Sequence, residues 1–181
     1  QTYYADHPQR ELWVLGARIE RALSRDKQAL AWSKNLATSA LPSFSLAFDL
    51  TQRWLPAFEA EELDSVHVVY NAYQGVGRYE PTVAPLIPPE PPPTESTSDV
   101  GGQVIVETDP LSLYTQIVEQ WAAIDLYTRL LDSAAAEHAT RYQLMEGAAQ
   151  NAKRLIEDLT AELQAIRRQQ ITDRKSTRLN S

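Results

Sequence analysis

The chain has no cysteine, only six glycines, and no proline after Pro110, although eleven prolines precede or occupy that position. Without cysteine there is no disulfide framework and no thiolate metal site. Scarce glycine leaves "GVG" at Gly75 to Gly77 as the single close pair after a strand-like run. It has no third glycine and opens onto "RYEPTVAPLIPPEPPP" rather than a helix start, so nothing there would hold a pyrophosphate. No glycine-rich loop runs into Lys and Ser or Thr, which argues against nucleotide hydrolysis by the chain alone. Basic clusters are missing before the last residues, and the net charge is -7; nucleic acid is therefore not expected as a partner. No window approaches eighteen consecutive apolar residues, so no direct membrane span is expected. The start, "QTYYADHPQRELWVLG", has neither a Met nor signal-peptide features, and reads as a chain entered partway.

Apolar residues make up 43% and charged residues 23%, the composition of a folded globular chain. Residues 1–109 alternate short elements. "ELWVLG" predicts a strand, "ARIERALSR" a short helix, and "LPSFSLAFDLTQRWLPAFEAEEL" a longer helix entered by Pro42 and Ser43 and kinked or ended at Pro56. "DSVHVVYNAYQG" is β-branched, aromatic and closed by Gly75, the mark of a strand. The segment from Val76 through Gly102, with its proline-rich core at 88–102, predicts a surface loop, and "QVIVETDP" a last strand. Strands alternating with helices give a small Rossmann-like α/β domain with part of its sheet parallel.

From Pro110 to Thr172 a single rule holds. Steps of seven from Ile117 pass through Ile124, Leu131, His138, Met145, Ala152, Leu159 and Ile166. Steps of seven from Trp121 pass through Thr128, Ala135, Tyr142, Ala149, Ile156, Leu163 and Gln170. This two-position seam lasts about eight heptads. A helix of that length would run about 90 Å, against a radius of gyration of roughly 16 Å for a compact chain of this size. It is expected to project and to form half of an antiparallel coiled coil, its mate being another chain or a segment not in this sequence.

Chemistry-bearing residues are sparse. His7, His67 and His138 are scattered, and His138 falls on the seam, where a polar side chain fixes register more often than it binds metal. Glu137 and His138 are adjacent on a helix and so point apart, which disfavours a proton-transfer pair. Glu157 and Asp158 fit a solvated face, and Trp121, Tyr142 and Met145 fit packing at seam spacing. Arg167 and Arg168 in "QAIRRQQIT" lie where the seam fades; such forked donors suit either a partner's carboxylates or plain solvation. No catalytic residue, metal or cofactor is expected.

"SAAAEHATRYQLMEGAAQNAKRLIEDL" followed by "RRQQIT" resembles the C-terminal helix of the gamma subunit of rotary (F-type) ATP synthases. The matching positions are Glu137, His138, Ala139, Arg141, Met145, Asn151, Ala152, Leu155, Ile156, Leu159, Arg167, Ile171 and Thr172. Upstream, "VLGAR", "VHVVYNAYQG", "EPTVAPLIP" and "VETDP" fall in that family's order, so the likeness covers about residues 11 to 172. The resemblance implies a noncatalytic central-stalk rotor that transmits torque between a membrane rotor ring of c subunits and a hexamer of alpha and beta subunits, with an epsilon subunit alongside. It would lie peripherally on the cytoplasmic face of a bacterial cell membrane and serve proton-driven ATP synthesis. The family's N-terminal helix and first strand are expected to be absent from this chain.

The resemblance also implies roles for single residues. Arg167, with Arg168 and Thr172 beside it, matches the region that contacts beta subunits, although Arg168 stands where the family usually has Gln. Glu107 matches an acidic position facing the rotor ring; Val106 replaces the usual Tyr before it, and Ala17 replaces a basic residue. The last nine residues, "DRKSTRLNS", equal the translation of a common sequencing-adapter string from its second base, and 173–181 is expected to be a non-native tail. Two rival readings are a stand-alone coiled-coil adaptor with an α/β recognition domain, and an α/β enzyme with a pocket at its sheet edge.

Overall fold

A computed structural model describes residues 10–36, 41–75, 77–89 and 109–179, with side chains in the last stretch described to Thr172. In chain order the elements are β1 (Trp13–Leu15), α1 (Ala17–Arg25), β2 (Trp32–Lys34), α2 (Phe44–Glu59), β3 (Val66–Gly75), β4 (Arg78–Ile87) and α3 (Pro110–Leu179). The predicted strand over "QVIVETDP", the core of the proline-rich loop and Glu107 lie outside the described residues. So do the side chains of 173–181, although the α3 backbone continues through Leu179.

The chain divides into two compact units, one of residues 1–68 and 85–131 and one of 69–84 and 132–181. In the first, β1 and β2 pair in parallel with Trp13 opposite Trp32, and α1 is the crossover between them. This βαβ unit is the Rossmann-type element the alternation predicts. β2 was not foreseen, because Trp32–Lys34 is too short to display a period. Trp13 stacks on Trp32 with centroids 5.3 Å apart, meets Trp54 edge-on at 5.5 Å, and lies under the Arg53 guanidinium at 5.0 Å. These rings wall one side of a core formed by Leu46, Ala47, Leu50 and Leu55 of α2, Leu86 and Ile87 of β4, and Ala122 and Leu126 of α3.

Helix α2 starts where Ser43 caps it: its hydroxyl accepts from the Leu46 amide at 3.3 Å. Of the two outcomes expected at Pro56, a kink or an end, the structure excludes the end: α2 runs on to Glu59. Pro56 sits within the last turn, so its missing N–H forfeits one bond, and its own carbonyl still accepts from Ala60 at 2.9 Å. α3 starts at Pro110, the helix position where a missing N–H costs nothing. Asp109 caps it, its Oδ2 accepting from the Ser112 amide and hydroxyl, each at 3.0 Å.

A correction concerns Arg78–Ile87, which the proline count assigned to a loop and which forms β4. Pro81 and Pro85 are four residues apart, so a strand carries both on one edge and loses no ladder bond to its partner. β3 and β4 pair with each other, and a connection this short fits only an antiparallel pair. The connection uses Gly75 and Gly77 at φ of 123° and 74°, conformations that glycine adopts without strain.

In the second unit a side chain at Gly77 would collide with the end of Gln143, so the turn lies directly on α3 there. Ala136 is the single fully buried position of this unit among the described residues. Gln74 donates to Glu80 at 2.7 Å, which places the even positions of both strands on one sheet face. The odd positions Val69, Tyr73, Tyr79 and Val83 form the other, exposed face.

Candidate partner-helix interface

The predicted seam is a line of side chains on α3, and helix geometry decides what covers it. Val118 and Ala122, which pack on the core, each follow a seam residue by one position, and Leu126, which packs there too, lies two positions from Ile124 and Thr128. One position is a turn of about 100° around the axis, so the face that α3 presents to its own core is not the seam face. Accordingly Ile117, Trp121 and Ile124 are exposed while Ala122 and Ala123 beside them are 2% and 0% exposed.

Farther along, Leu131 and His138 are half-buried. Tyr142, Met145, Ala149, Ala152, Ile156, Leu159, Leu163 and Ile166 are all exposed; Tyr142 keeps 65% of its surface and Ile156 the same. Tyr114, seven residues before Trp121 and also exposed, extends the line. It was missed because the sequence reading started its count at Trp121. Leu144 and Leu155, each beside a seam residue, widen the stripe at two points. So many large apolar side chains on one face mark a contact surface.

The polar residues of α3 divide into two kinds. Arg129 is paired with Asp125 at 2.7 Å and Arg141 with Glu137 at 2.6 Å, each one helical turn apart. Arg167 and Arg168 have no carboxylate three or four residues away in either direction, and both are exposed. Thr172 turns its hydroxyl back onto the helix, donating to the Arg168 carbonyl at 3.0 Å. Arg167 and Arg168 lie about 100° apart around the axis, so they address different sides. The structure does not bring Glu107 into this account, since it lies outside the described residues.

Nothing among the described residues assembles a reaction centre. No three His, Cys, Asp or Glu side chains gather where they could hold a metal ion. His67 is exposed on β3, its Nδ1 at 3.5 Å from the Ser65 hydroxyl. No described helix is long and apolar enough to cross a membrane. What the arrangement can do is pack: a narrow apolar line with small alanines at Ala149 and Ala152 admits a second helix at close range.

A family profile described as ATP synthase matches residues 2–174. The ATP synthase gamma chain of Solibacter usitatus is 26% identical over 94% of this chain and 58% of its own length. That of Nautilia profundicola is 32% identical over 76% of this chain and 46% of its own. The chain thus spans about half the length of the curated relatives it matches. Among solved structures, a chain from the cryo-EM structure of the Tetrahymena thermophila mitochondrial ATP synthase central stalk and c-ring is similar in fold. Its TM-score is 0.50 at 20% identity, over 75% of this chain and 58% of that one. With a profile match across nearly its whole length, the chain belongs to the ATP synthase gamma family.

Proposed function

We propose that the chain works as part of a central-stalk rotor, a noncatalytic element that transmits torque by stiffness and shape in a proton-translocating ATP synthase. The observation that carries this reading is the exposed apolar line from Tyr114 to Ile166 on α3. A long helix with one greasy face is stiff only when paired, and a paired helix resists bending and twisting better than loops can. The partner helix is expected to be antiparallel. Arg167 and Arg168 would meet carboxylates of the beta subunits near Thr172, where forked cationic donors with no intrahelical acid have bonding capacity to give. Glu107 would face the polar loops of the c-subunit ring. The alpha and epsilon subunits complete the set of partners, and the assembly would sit peripherally on the cytoplasmic face of a bacterial membrane.

Affinity capture of the tagged full-length protein tests this reading. Alpha, beta and epsilon subunits should co-purify in fixed proportion. A different helical partner in their place would support a coiled-coil adaptor, and either that outcome or capture of none of the three overturns the rotor reading.

A further inference from the structure

In an antiparallel strand the N–H and C=O of one residue point to the same side, and the side alternates along the chain. Among the described residues β4 has one strand partner, β3, and every second residue of β4 turns its main-chain groups away from it. The outward set contains Pro81 and Pro85, because the Pro85 carbonyl accepts a 2.8 Å hydrogen bond from Arg129 Nη1 on α3. Two residues of that edge therefore have no N–H to offer, and one carbonyl is already engaged. This edge is a poor template for a further strand around Pro81 and Pro85.

The guanidinium that engages this carbonyl is itself fixed. Arg129 Nε donates to Asp125 Oδ1 at 3.0 Å and Nη2 to Oδ2 at 2.7 Å. The Arg129 side chain is only 14% exposed. A fork held at two points leaves Nη1 aimed in one direction, toward the carbonyl. Immediately beyond Pro85, Leu86 and Ile87 bury themselves in the cluster that contains Ala122 and Leu126. The base of the hairpin is thus seated on α3 by apolar burial and pinned to it by one directional contact.

We propose that Arg129, oriented by Asp125, is a positioning residue of the rotor, a latch that keeps the α/β part from slipping around α3 under torque. The proposal rests on the rotor reading above. Hydrophobic burial resists separation but is non-directional, so a greasy seat alone can slide with little loss of buried area. A hydrogen bond weakens steeply as its angle and length depart from ideal, so the latch opposes the sliding itself.

The experiment uses the full-length protein assembled with its cognate subunits in inverted membrane vesicles, comparing wild type, Arg129→Ala and Arg129→Gln. ATP hydrolysis, ATP-driven proton uptake and the amount of the chain per complex are measured on the same vesicles. Arg129→Ala should assemble and hydrolyse ATP, with proton uptake per ATP lowered by about threefold or more. Arg129→Gln keeps a donor for the Pro85 carbonyl without the fork and should fall between. An unchanged ratio in Arg129→Ala overturns the latch, as does failure of both variants to enter the complex, which would make Arg129 a folding residue only. A wild-type chain that does not enter the complex refutes the rotor reading instead, and is recognised before any variant is compared.

Discussion

Helix α3 carries apolar side chains on both sides of Leu131, but the two stretches differ in what surrounds them. Between Pro110 and Leu131 one face closes on α2 and β4, burying Ala122, Ala123 and Leu126, and Tyr127 meets Phe44 edge-on at 5.7 Å. Beyond Asp132 only Ala136 is buried among the described residues, and every residue from Ala148 to Thr172 is exposed. The first stretch draws its stability from tertiary packing. From Ala148 to Thr172 the helix, taken alone, has only backbone propensity and intrahelical contacts such as Arg154 with Asn151. The difference teaches that a heptad pattern reports the existence of a face and not the identity of what covers it.

The sharpest way to break this comparison is to remove one methyl-rich side chain from the packed stretch. Leu126 is 2% exposed and belongs to the core cluster. Leu126→Ala should lower the unfolding free energy of the chain by about 2–5 kcal/mol, through lost transfer energy and the cavity left behind. Urea denaturation followed by circular dichroism reads this directly. A loss below about 1 kcal/mol would mean that α3 is not seated on α2.

Smaller effects test the devices that set the elements in place. Gly77→Ala forces a side chain onto a left-handed backbone at φ 74° and into Gln143. The Gln143 end can swing aside, so the backbone term dominates, and a loss of about 1–2 kcal/mol is expected in the same melts. Ser43→Ala and Asp109→Ala each remove a side-chain acceptor at a helix start. Each should cost about 1 kcal/mol, and Ser43→Asp, which keeps an acceptor, should recover most of the loss.

Much of this was legible in the sequence, for reasons particular to each element. Pro110 with Asp109 before it, and the absence of proline afterwards, mark the start of α3; the seven-residue spacing marks its exposed line. β3 announces itself by "VHVVY", and α2 by Ser43 and its apolar spacing. β4 was hidden because proline is read first as a loop residue, and only the spacing of Pro81 and Pro85 tells that both can share an outer edge. The continuation of α2 past Pro56 was undecided because the cost of a proline depends on how near the helix end it falls. The second apolar face of α3, through Val118, Ala122 and Leu126, was masked by the seam one or two positions away, since alanines carry little periodic signal. Arg129 was invisible as a latch, because Pro85 lies forty-four positions away and offers only its backbone.

The smallest expected effect is also the one that separates the two stretches of α3. Leu159 lies on the seam and is 56% exposed. Leu159→Ala in the isolated chain should change stability by no more than about 0.5 kcal/mol, as surface substitutions do, because alanine is at least as good a helix former as leucine. The same substitution should be costly once a helix covers the seam, since the leucine then becomes a knob in a closed hole. Measuring Leu159→Ala twice, in the isolated chain by urea melt and in the full-length protein by the same melt, therefore compares one side chain with and without its cover. A near-zero effect alone and a loss of about 2 kcal/mol or more in the full-length protein is the expected pair. Equal losses in both would mean that this part of the line is already covered within the chain, and the contrast between the two stretches of α3 would disappear.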